Sequence, residues 1–297
     1  MQKHAYLIMA HNEPYILERL VKLLDDKRND LYIHIDKKNK DIDKNKISGL
    51  VKKSKVYFTK SLDVRWGSSR QIDCELLLLE EATNRDNYDY YHLLSGVDLP
   101  LKTQDEIHLF FEKNNGKEFV SFCDYSSIRS GVIGRVMYYH LFTNNLRSSK
   151  KTNLSQKLHS LFLKIQKLLK INRIEGKEDS FKYGANWFSI TDDLARYVLK
   201  NKKYIRKTFK YTLCADELFL QTLVFNSDFY DRLYLKDCDD YSQIMRCIDW
   251  KRGDPYTFRL EDYDELMKSG MFFARKFSTN TDKLIIDKIY KKLKGDK

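Results

Sequence analysis

Two adjacent acids, Asp216 and Glu217, open an apolar stretch that is predicted to form a helix over 216–226. One interpretation is structural, because an acid in the first turn of a helix caps it or interacts with its dipole, which stabilises the helix by about 0.5 to 2 kcal/mol. The other is catalytic: one acid caps the helix while Glu217 faces a cleft and serves as a general base. The residues alone leave both interpretations open.

Two adjacent cations, Arg275 and Lys276, lie within the aromatic stretch 272–277 (FFARKF). The flanking phenylalanines are expected to anchor this segment against a core and to hold both charges in place. A guanidinium fork beside an ammonium group suits the two phosphates of a diphosphate. Surface cations near the end of a helix would give the same pattern.

Metal-binding signals in the sequence are weak. Asp-x-Asp triplets occur at 41–43, 237–239 and 262–264, but none of them follows an apolar strand. After the predicted strand 90–94, where an α/β nucleotide-sugar enzyme places its metal-binding acids, Asp98 is the one acid. The chain contains no Walker lysine loop, no GxGxxG and no HExxH motif. The sequence therefore predicts neither a metal site nor a bound cofactor.

Two tryptophans, Trp66 and Trp187, are further candidates for a binding site. A tryptophan is usually a core residue, and that interpretation fits both. The alternative is an apolar platform on which a sugar ring or a base stacks.

Short apolar runs alternate with helical patterns in the first part of the chain. They predict strands at 6–9, 31–35, 55–58, 90–94 and 119–122, and helices at 13–24 and 68–83. This alternation is typical of βαβ units and predicts an α/β fold with a doubly wound, mostly parallel sheet. Ligands of such sheets bind at the carboxyl ends of strands, which is where His11, Asp36 and Asp98 occur. The second half is more helical, with a strand predicted at 183–190 and helices at 192–199 and 216–226.

The segment 125–174 carries ten basic residues and no acid. The basic residues are Arg129, Arg135, Arg147, Lys150, Lys151, Lys157, Lys164, Lys167, Lys170 and Arg173. Between 154 and 169 the apolar residues follow helical spacing, with lysines largely on the opposite side. A core-packed helix with a solvated lysine face and an interfacial helix on an anionic membrane both fit this pattern.

The composition limits the class of protein. A chain of 297 residues with 42% hydrophobic residues can bury a large α/β core. No apolar run approaches the length of about 18 residues that suggests a membrane span, and no cleavable signal sequence is evident, so we expect a cytoplasmic protein. The formal charge of +12 could suggest a nucleic-acid partner. Because this charge is concentrated in one segment without a nucleic-acid motif, we predict none.

Taken in order, short motifs along the chain resemble the core-2/I-branching family of β-1,6-N-acetylglucosaminyltransferases (glycosyltransferase family 14), which also contains the peptide O-xylosyltransferases. The resemblance runs from Tyr6 to about Phe277. Its motifs are 9–12 (MAHN), 33–38 (IHIDKK), 64–67 (VRWG), 90–102 (YYHLLSGVDLPLK), 184–188 (GANWF), 216–217 (DE), 226–227 (NS), 248–250 (IDW) and 273–277 (FARKF). Each motif is weak by itself, and the ordered set is specific.

The resemblance implies a GT-A-like fold, a UDP-sugar donor, inversion at the anomeric carbon and independence from divalent metal. It implies that Glu217 is the base that deprotonates the acceptor hydroxyl, and that Arg275 and Lys276 hold the donor diphosphate. Trp187 and Asp216 would lie where the donor and acceptor sugars meet. The remaining donor-side candidates are His11, Asp36, Arg65, Trp66 and Asp98.

We therefore expect a single glycosyltransferase domain over 1–290, with a nucleotide-sugar half (1–124), an acceptor half (180–290) and a basic helical insertion (125–179). The preferred hypothesis is transfer of GlcNAc from its UDP-sugar to a glycan, in bacterial capsule, exopolysaccharide or lipopolysaccharide synthesis. A lipid-linked acceptor, and contact of 147–173 with the anionic inner face of the plasma membrane, belong to the same hypothesis. The alternatives are transfer of xylose or another sugar, and binding of a nucleotide or carbohydrate without catalysis.

Overall fold

A six-stranded sheet forms the centre of the computed structural model, which describes residues 2–124, 126, 129–141, 154–236 and 241–295. The strands are β1 (His4–Ala10), β2 (Asn29–Ile35), β3 (Lys55–Phe58), β4 (Tyr90–Ser95), β5 (Leu99–Pro100), β6 (Phe119–Val120), β7 (Phe188–Thr191), β8 (Arg246–Ile248) and β9 (Phe273–Arg275). The central sheet has the order β3-β2-β1-β4-β7-β6, and a small second sheet has the order β5-β9-β8. Strands β3, β2, β1 and β4 are parallel, whereas β7 runs antiparallel to both of its neighbours.

Helices surround the sheet. They are α1 (Pro14–Leu24), α2 (Lys44–Gly49), α3 (Arg70–Thr83), α4 (Gln104–Lys113), α5 (Arg129–Met137), α6 (Leu154–Leu168), α7 (Asp192–Lys200), α8 (Lys202–Phe209), α9 (Phe219–Phe225), α10 (Tyr263–Lys268) and α11 (Lys283–Lys294). Leu7 of β1 packs in a core with α3, α7 and α9, while the next residue, Ile8, packs in a second core with α1, α4 and α11. Because both faces are covered, nearly every residue of β1, β2 and β4 is buried, whereas the edge strand β3 is partly exposed.

The predicted α/β class with a mostly parallel, helix-flanked sheet is confirmed. The first four predicted strands match β1 to β4, and the two predicted helices of this part match α1 and α3. The predicted strand 183–190 is too long, since the strand starts at Phe188. The Gly184 amide instead donates to the Glu217 carbonyl at 3.1 Å, which ties 183–187 to the second half of the chain and away from the sheet.

The interpretation of α6 as a core-packed helix is wrong. Its apolar positions face solvent, with Leu154 exposed by 72%, Leu161 by 55% and Leu168 by 82%, and its buried residues are His159 and Gln166. A helical period identifies an apolar face but does not say what that face meets. Residues 147–153 of the predicted membrane segment lie outside the described part of the chain.

No helix of the described chain is long and apolar enough to cross a bilayer.

Candidate active site

An open cleft of about 1400 Å³ lies at the carboxyl ends of β1, β2 and β4. Residues that follow these strands form one side of it, and segments from the second half of the chain form the other. Every predicted site residue except Asp98 lines the cleft: His11, Asp36, Arg65, Trp66, Trp187, Asp216, Glu217, Arg275 and Lys276. The rule that ligands bind where parallel strands end therefore located the cleft correctly.

Arg275 on β9 is held in a fixed position. Its Nε lies 3.2 Å from Asp98 Oδ1, and its guanidinium carbon lies 4.1 Å from the centroid of the Trp187 ring. Phe273 and Phe277 on either side are buried, as the aromatic stretch predicted. The guanidinium is thus oriented toward the cleft by an ion pair and by stacking on an indole.

Asp98 does not contact the cleft, contrary to the prediction that it binds the donor directly. It is 1% exposed, and its carboxylate accepts a hydrogen bond from the Ser95 amide at 2.9 Å. The tight turn after β4 folds this side chain back beneath the cleft wall. Asp98 acts on the site through Arg275 and is a positioning residue.

The tryptophans differ in what they offer a ligand. Trp187 is only 6% exposed and carries Arg275 on its ring, so it supports the cation more than it presents a stacking surface. Trp66 is 47% exposed, and Trp250, which also lines the cleft, is 48% exposed. Large exposed aromatic faces in a cleft suit stacking of a sugar or a base.

Asp36 closes the end of β2. One carboxylate oxygen accepts a hydrogen bond from the Lys38 amide at 2.8 Å, and the other accepts one from the Val64 amide at 3.1 Å. These bonds join the β2 turn to the loop that carries Arg65 and Trp66. Nearby, burial lowers the pKa of His11, which also lines the cleft, and so favours its neutral imidazole.

Glu217 presents a carboxylate to the opposite part of the cleft. Its Oε2 lies 2.6 Å from Arg135 Nη1 on α5, and the two side chains are 27% and 26% exposed. The Glu217 backbone is fixed on both sides, because its amide donates to the Cys214 carbonyl and its carbonyl accepts from the Gly184 amide. A fixed, partly exposed carboxylate can accept a proton from a bound hydroxyl.

Asp216 lies in the wall of the cleft next to Glu217. It is buried, and its Oδ2 accepts a 2.6 Å hydrogen bond from Gln71 Nε2. Burial, together with the negative charge of Glu217, raises the pKa of Asp216 above its ordinary value, and burial also raises the pKa of the fully buried Glu75 behind it. Neither acid caps α9, which begins at Phe219 and has no side-chain cap. Both acids lie in the first turn of the short 3-10 helix Ala215–Glu217, which is the first-turn placement that the structural interpretation allowed.

Among the cleft residues that sequence reasoning missed are Gln71, Arg135 and Trp250. Arg135 was visible only as one charge in the acid-free segment, and its partner follows 82 positions later. Trp250 stands in the 248–250 motif, which was the available signal for it. Within the residues that the structure describes, no group of three or more His, Cys, Asp and Glu side chains is arranged to hold a metal ion.

The chain is similar to known proteins over most of its length. The model of the family described as Branch: Core-2/I-Branching enzyme matches residues 4–269. Xylosyltransferase 2 from Canis lupus familiaris is 23% identical over 302 residues, covering 95% of this chain and 33% of the relative. Xylosyltransferase sqv-6 from Caenorhabditis elegans is 23% identical over 241 residues, covering 73% of this chain and 27% of the relative.

The chain thus spans about a third of the length of the curated relatives it matches. Among solved structures, that of mouse xyloside xylosyltransferase 1 in its apo form aligns over 91% of this chain and 96% of the other, with a TM-score of 0.37 and 10% identity.

Proposed function

Since the chain belongs to the Core-2/I-Branching enzyme family, we propose that it transfers a sugar from a UDP-sugar to a hydroxyl of a glycan acceptor, with inversion at the anomeric carbon. The observation that carries this proposal is the cleft itself. It brings the carboxylate of Glu217 and the cations Arg275 and Lys276 together from separate segments of the chain. An inverting transfer needs a base on the acceptor side and positive charge on the leaving-group side.

The proposed step uses these groups as follows. Glu217 takes the proton of the acceptor hydroxyl, whose oxygen forms a bond to the anomeric carbon from the face opposite the departing UDP. The bond between the anomeric carbon and the diphosphate oxygen breaks, and its electron pair stays on UDP. Arg275 and Lys276 stabilise the charge that develops there, and Arg275 is already oriented by Asp98 and Trp187. Two protein cations at this place support a reaction that requires no divalent metal.

GlcNAc remains the preferred donor sugar in this proposal, following the family resemblance. Xylose is the second candidate, and it is favoured by a specific finding: the similar curated proteins are named xylosyltransferases. Both donors share UDP, so the cations at 275–276 and the turn at Asp36 serve either one. The choice depends on how the cleft meets the acetamido group at C2 and the hydroxymethyl group at C6 of GlcNAc, since xylose has a hydroxyl at C2 and no C6.

We further propose that the acceptor is a lipid-linked glycan of a bacterial capsule, exopolysaccharide or lipopolysaccharide, and that the enzyme is cytoplasmic and peripheral on the inner face of the plasma membrane. The richness of the chain in Lys, Asn, Ile and Tyr supports a bacterial source. The acid-free basic segment 125–174 supports an anionic membrane surface as the partner. The competing function, a protein that binds nucleotide or carbohydrate without catalysis, predicts UDP binding with no turnover.

The experiment is a panel of UDP-sugars tested for hydrolysis or transfer in EDTA, comparing wild type with Glu217→Gln. We expect one donor to be consumed without metal, and Glu217→Gln to lower turnover by about 10²- to 10⁴-fold while UDP affinity is unchanged. Glu112→Gln, an exposed glutamate on α4, is the matched control and should keep full activity. UDP binding without turnover of any donor would instead support the non-catalytic protein.

A further inference from the structure

Helix α6 is built with its apolar side outward. Leu154, Leu158, Leu161, Ile165 and Leu168 recur every three or four residues and therefore share one face of the helix. All five are exposed, from 39% for Leu158 to 82% for Leu168. Helices on a globular protein ordinarily turn such a face toward the core. Among the residues that the structure describes, none covers this apolar stripe, which is defined by these five residues.

Polar contacts fix α6 in this orientation. Gln166, which is 1% exposed, accepts a hydrogen bond from the Tyr139 amide at 2.8 Å and donates one to the Tyr139 carbonyl at 2.9 Å. His159 Nε2 lies 3.1 Å from His140 Nδ1. A buried glutamine and histidine that are matched to partners oppose any rotation of the helix that would bury the stripe, because rotation would leave those polar groups unpaired.

Lysines lie beside the apolar stripe on α6, and further exposed lysines lie on α8. Lys157 and Lys164 lie on α6 beside it, and α8 adds the exposed Lys203 and Lys207. The end of α8 adjoins the α5–α6 region, since the Thr208 carbonyl accepts from Arg173 Nη2 at 2.8 Å. No acid occurs in 125–174 or in 194–215. Helix α6 therefore combines an apolar stripe with lysines at its edge, and α8 adds further lysines. The acids that pair with α8 come from α3, where Glu80 contacts Lys202 and Asp73 contacts Arg206.

We infer that this α6–α8 face is the surface that docks on an anionic phospholipid leaflet, an inference that rests on the proposed function for the peripheral membrane location and for the lipid-linked acceptor. An interfacial helix buries an apolar side in the acyl boundary while lysines at its edge contact anionic headgroups. A second copy of this chain would bring the same lysines against one another, so like-charge repulsion disfavours self-association. A lipid leaflet offers acyl chains to the apolar stripe and anionic headgroups to the lysines at the same time.

The docked face and the acceptor side of the cleft share helix α5. His140, which contacts α6, also bonds to the Gly134 carbonyl through Nε2 at 3.0 Å, and the next residue, Arg135, pairs with Glu217. Helix α5 thus connects the docked helix α6 with the carboxylate proposed as the base. The lipid of an acceptor can stay in the leaflet while its glycan reaches Glu217.

The test is flotation of the full chain with vesicles of phosphatidylglycerol and phosphatidylcholine, and with phosphatidylcholine alone. We expect binding to the anionic vesicles, weakened by high salt. The double variant Leu161→Gln/Ile165→Gln should lower partitioning at least about tenfold, because it removes two side chains of the apolar stripe. Lys203→Glu/Lys207→Glu should also lower it and reduce its salt dependence. Matched controls are Leu284→Gln and Lys291→Glu/Lys292→Glu. These residues are exposed, and they belong to α11 and not to the α6–α8 face.

Hydrolysis of the UDP-sugar without vesicles is measured on the same variants, and it should not change, so loss of docking and loss of the proposed activity are separate results. Circular dichroism confirms that each variant is folded. Absence of flotation by wild type, or flotation that survives Leu161→Gln/Ile165→Gln, overturns the inference. A wild-type dimer that this double variant dissociates in sedimentation experiments assigns the apolar stripe to a second copy instead and overturns it as well.

Discussion

At the scale of single residues, the charged groups of Arg275 and Glu217 in the proposed chemistry each have a protein partner. Arg275 is paired with the buried Asp98 and stacked on Trp187, and Glu217 is paired with Arg135. Such contacts fix the direction of a charge before a ligand binds, so little reorganisation accompanies the reaction. The partners differ in exposure: Asp98 is sealed beneath the wall, whereas Arg135 remains open to the cleft.

Arg275→Lys keeps the charge but removes the guanidinium fork, its ion pair through Nε and its stacking on Trp187. We expect UDP affinity to fall about 10- to 100-fold, equivalent to about 1.4 to 2.7 kcal/mol. Asp98→Asn, which preserves side-chain volume, should give a smaller loss in the same direction. Isothermal titration calorimetry with UDP measures both. Arg85→Lys, at a surface site stacked on Tyr57, is the control; unchanged UDP affinity in Arg275→Lys would remove Arg275 from the donor site.

Arg135→Gln separates the acceptor side from the donor side. The guanidinium orients Glu217 from 2.6 Å, so we expect kcat to fall about tenfold or more while UDP affinity stays constant. Arg129→Gln on the same helix, where the arginine pairs with Asp179, serves as the control. Steady-state kinetics with a saturating donor measures kcat for both variants. If Arg135→Gln lowers UDP affinity and leaves kcat unchanged, the assignment of Arg135 to the acceptor side is contradicted.

At the scale of elements, close approach between segments decides where the site can form. A Cβ built on Gly184 would lie 1.9 Å from the Ser121 carbonyl oxygen, so only glycine permits the 183–187 segment to pass between the sheet and the Glu217 turn. The same segment carries Trp187, which supports Arg275. Both sides of the proposed chemistry therefore depend on this one backbone contact.

Gly184→Ala should destabilise the protein by about 3 kcal/mol or more, because the clash is with backbone that cannot rotate away. Gly131→Ala provides the matched comparison, since nothing lies within 4 Å of its Cβ position and it stands in helix α5. There we expect no loss and a gain of up to about 1 kcal/mol from helix propensity. Urea unfolding measures the free energy of each variant; equal stability of the two would show that Ser121 relaxes freely.

The sequence predicted those elements whose pattern is long and repeated. Strands β1 to β4 and helices α1 and α3 follow from apolar runs and helical spacing, and the polar residues that end these strands led to His11 and Asp36 at the cleft. The second sheet was missed because β5, β8 and β9 have two or three residues each, too few for a period to be recognised. Arg135 was missed as a site residue because its role arises from a contact across 82 positions. The division into one domain over 1–290 with an insertion over 125–179 stays a prediction.

At the scale of the whole molecule, buried titratable groups link stability to pH. His4, His92 and His108 form a cluster in the interior, in which the rings of His4 and His108 are stacked with their centroids 4.0 Å apart. Burial lowers the pKa of all three, that of His108 to about 4. Glu118 acts in the opposite sense, because burial raises its pKa to about 7. The pH dependence of the free energy of unfolding is the sum of these opposing contributions. Single variants are therefore needed to measure the contribution of one group.

His108→Gln should flatten the acid side of the stability profile. Between pH 6.5 and pH 4 the unfolded chain binds a proton at position 108 that the folded protein does not, so wild-type stability falls as the pH falls through this window. The variant lacks this contribution, which amounts to at most about 3 kcal/mol. Urea unfolding of both proteins from pH 7.5 to pH 4 provides the comparison. Parallel profiles would show that His108 is not titrated on unfolding.

The ion pair between Arg135 and Glu217 also shapes how such a protein can diversify. The donor side of the cleft rests on strands of the two sheets, whereas Arg135 comes from α5, a part of the chain that does not belong to either sheet. Replacement of the 129–174 region in a chimaera would change the neighbours of the base and leave the diphosphate cations in place. Under the proposed mechanism, sequence change confined to this region would alter the surroundings of Glu217, and with them the choice of acceptor, while the sheets that hold Arg275 stay the same.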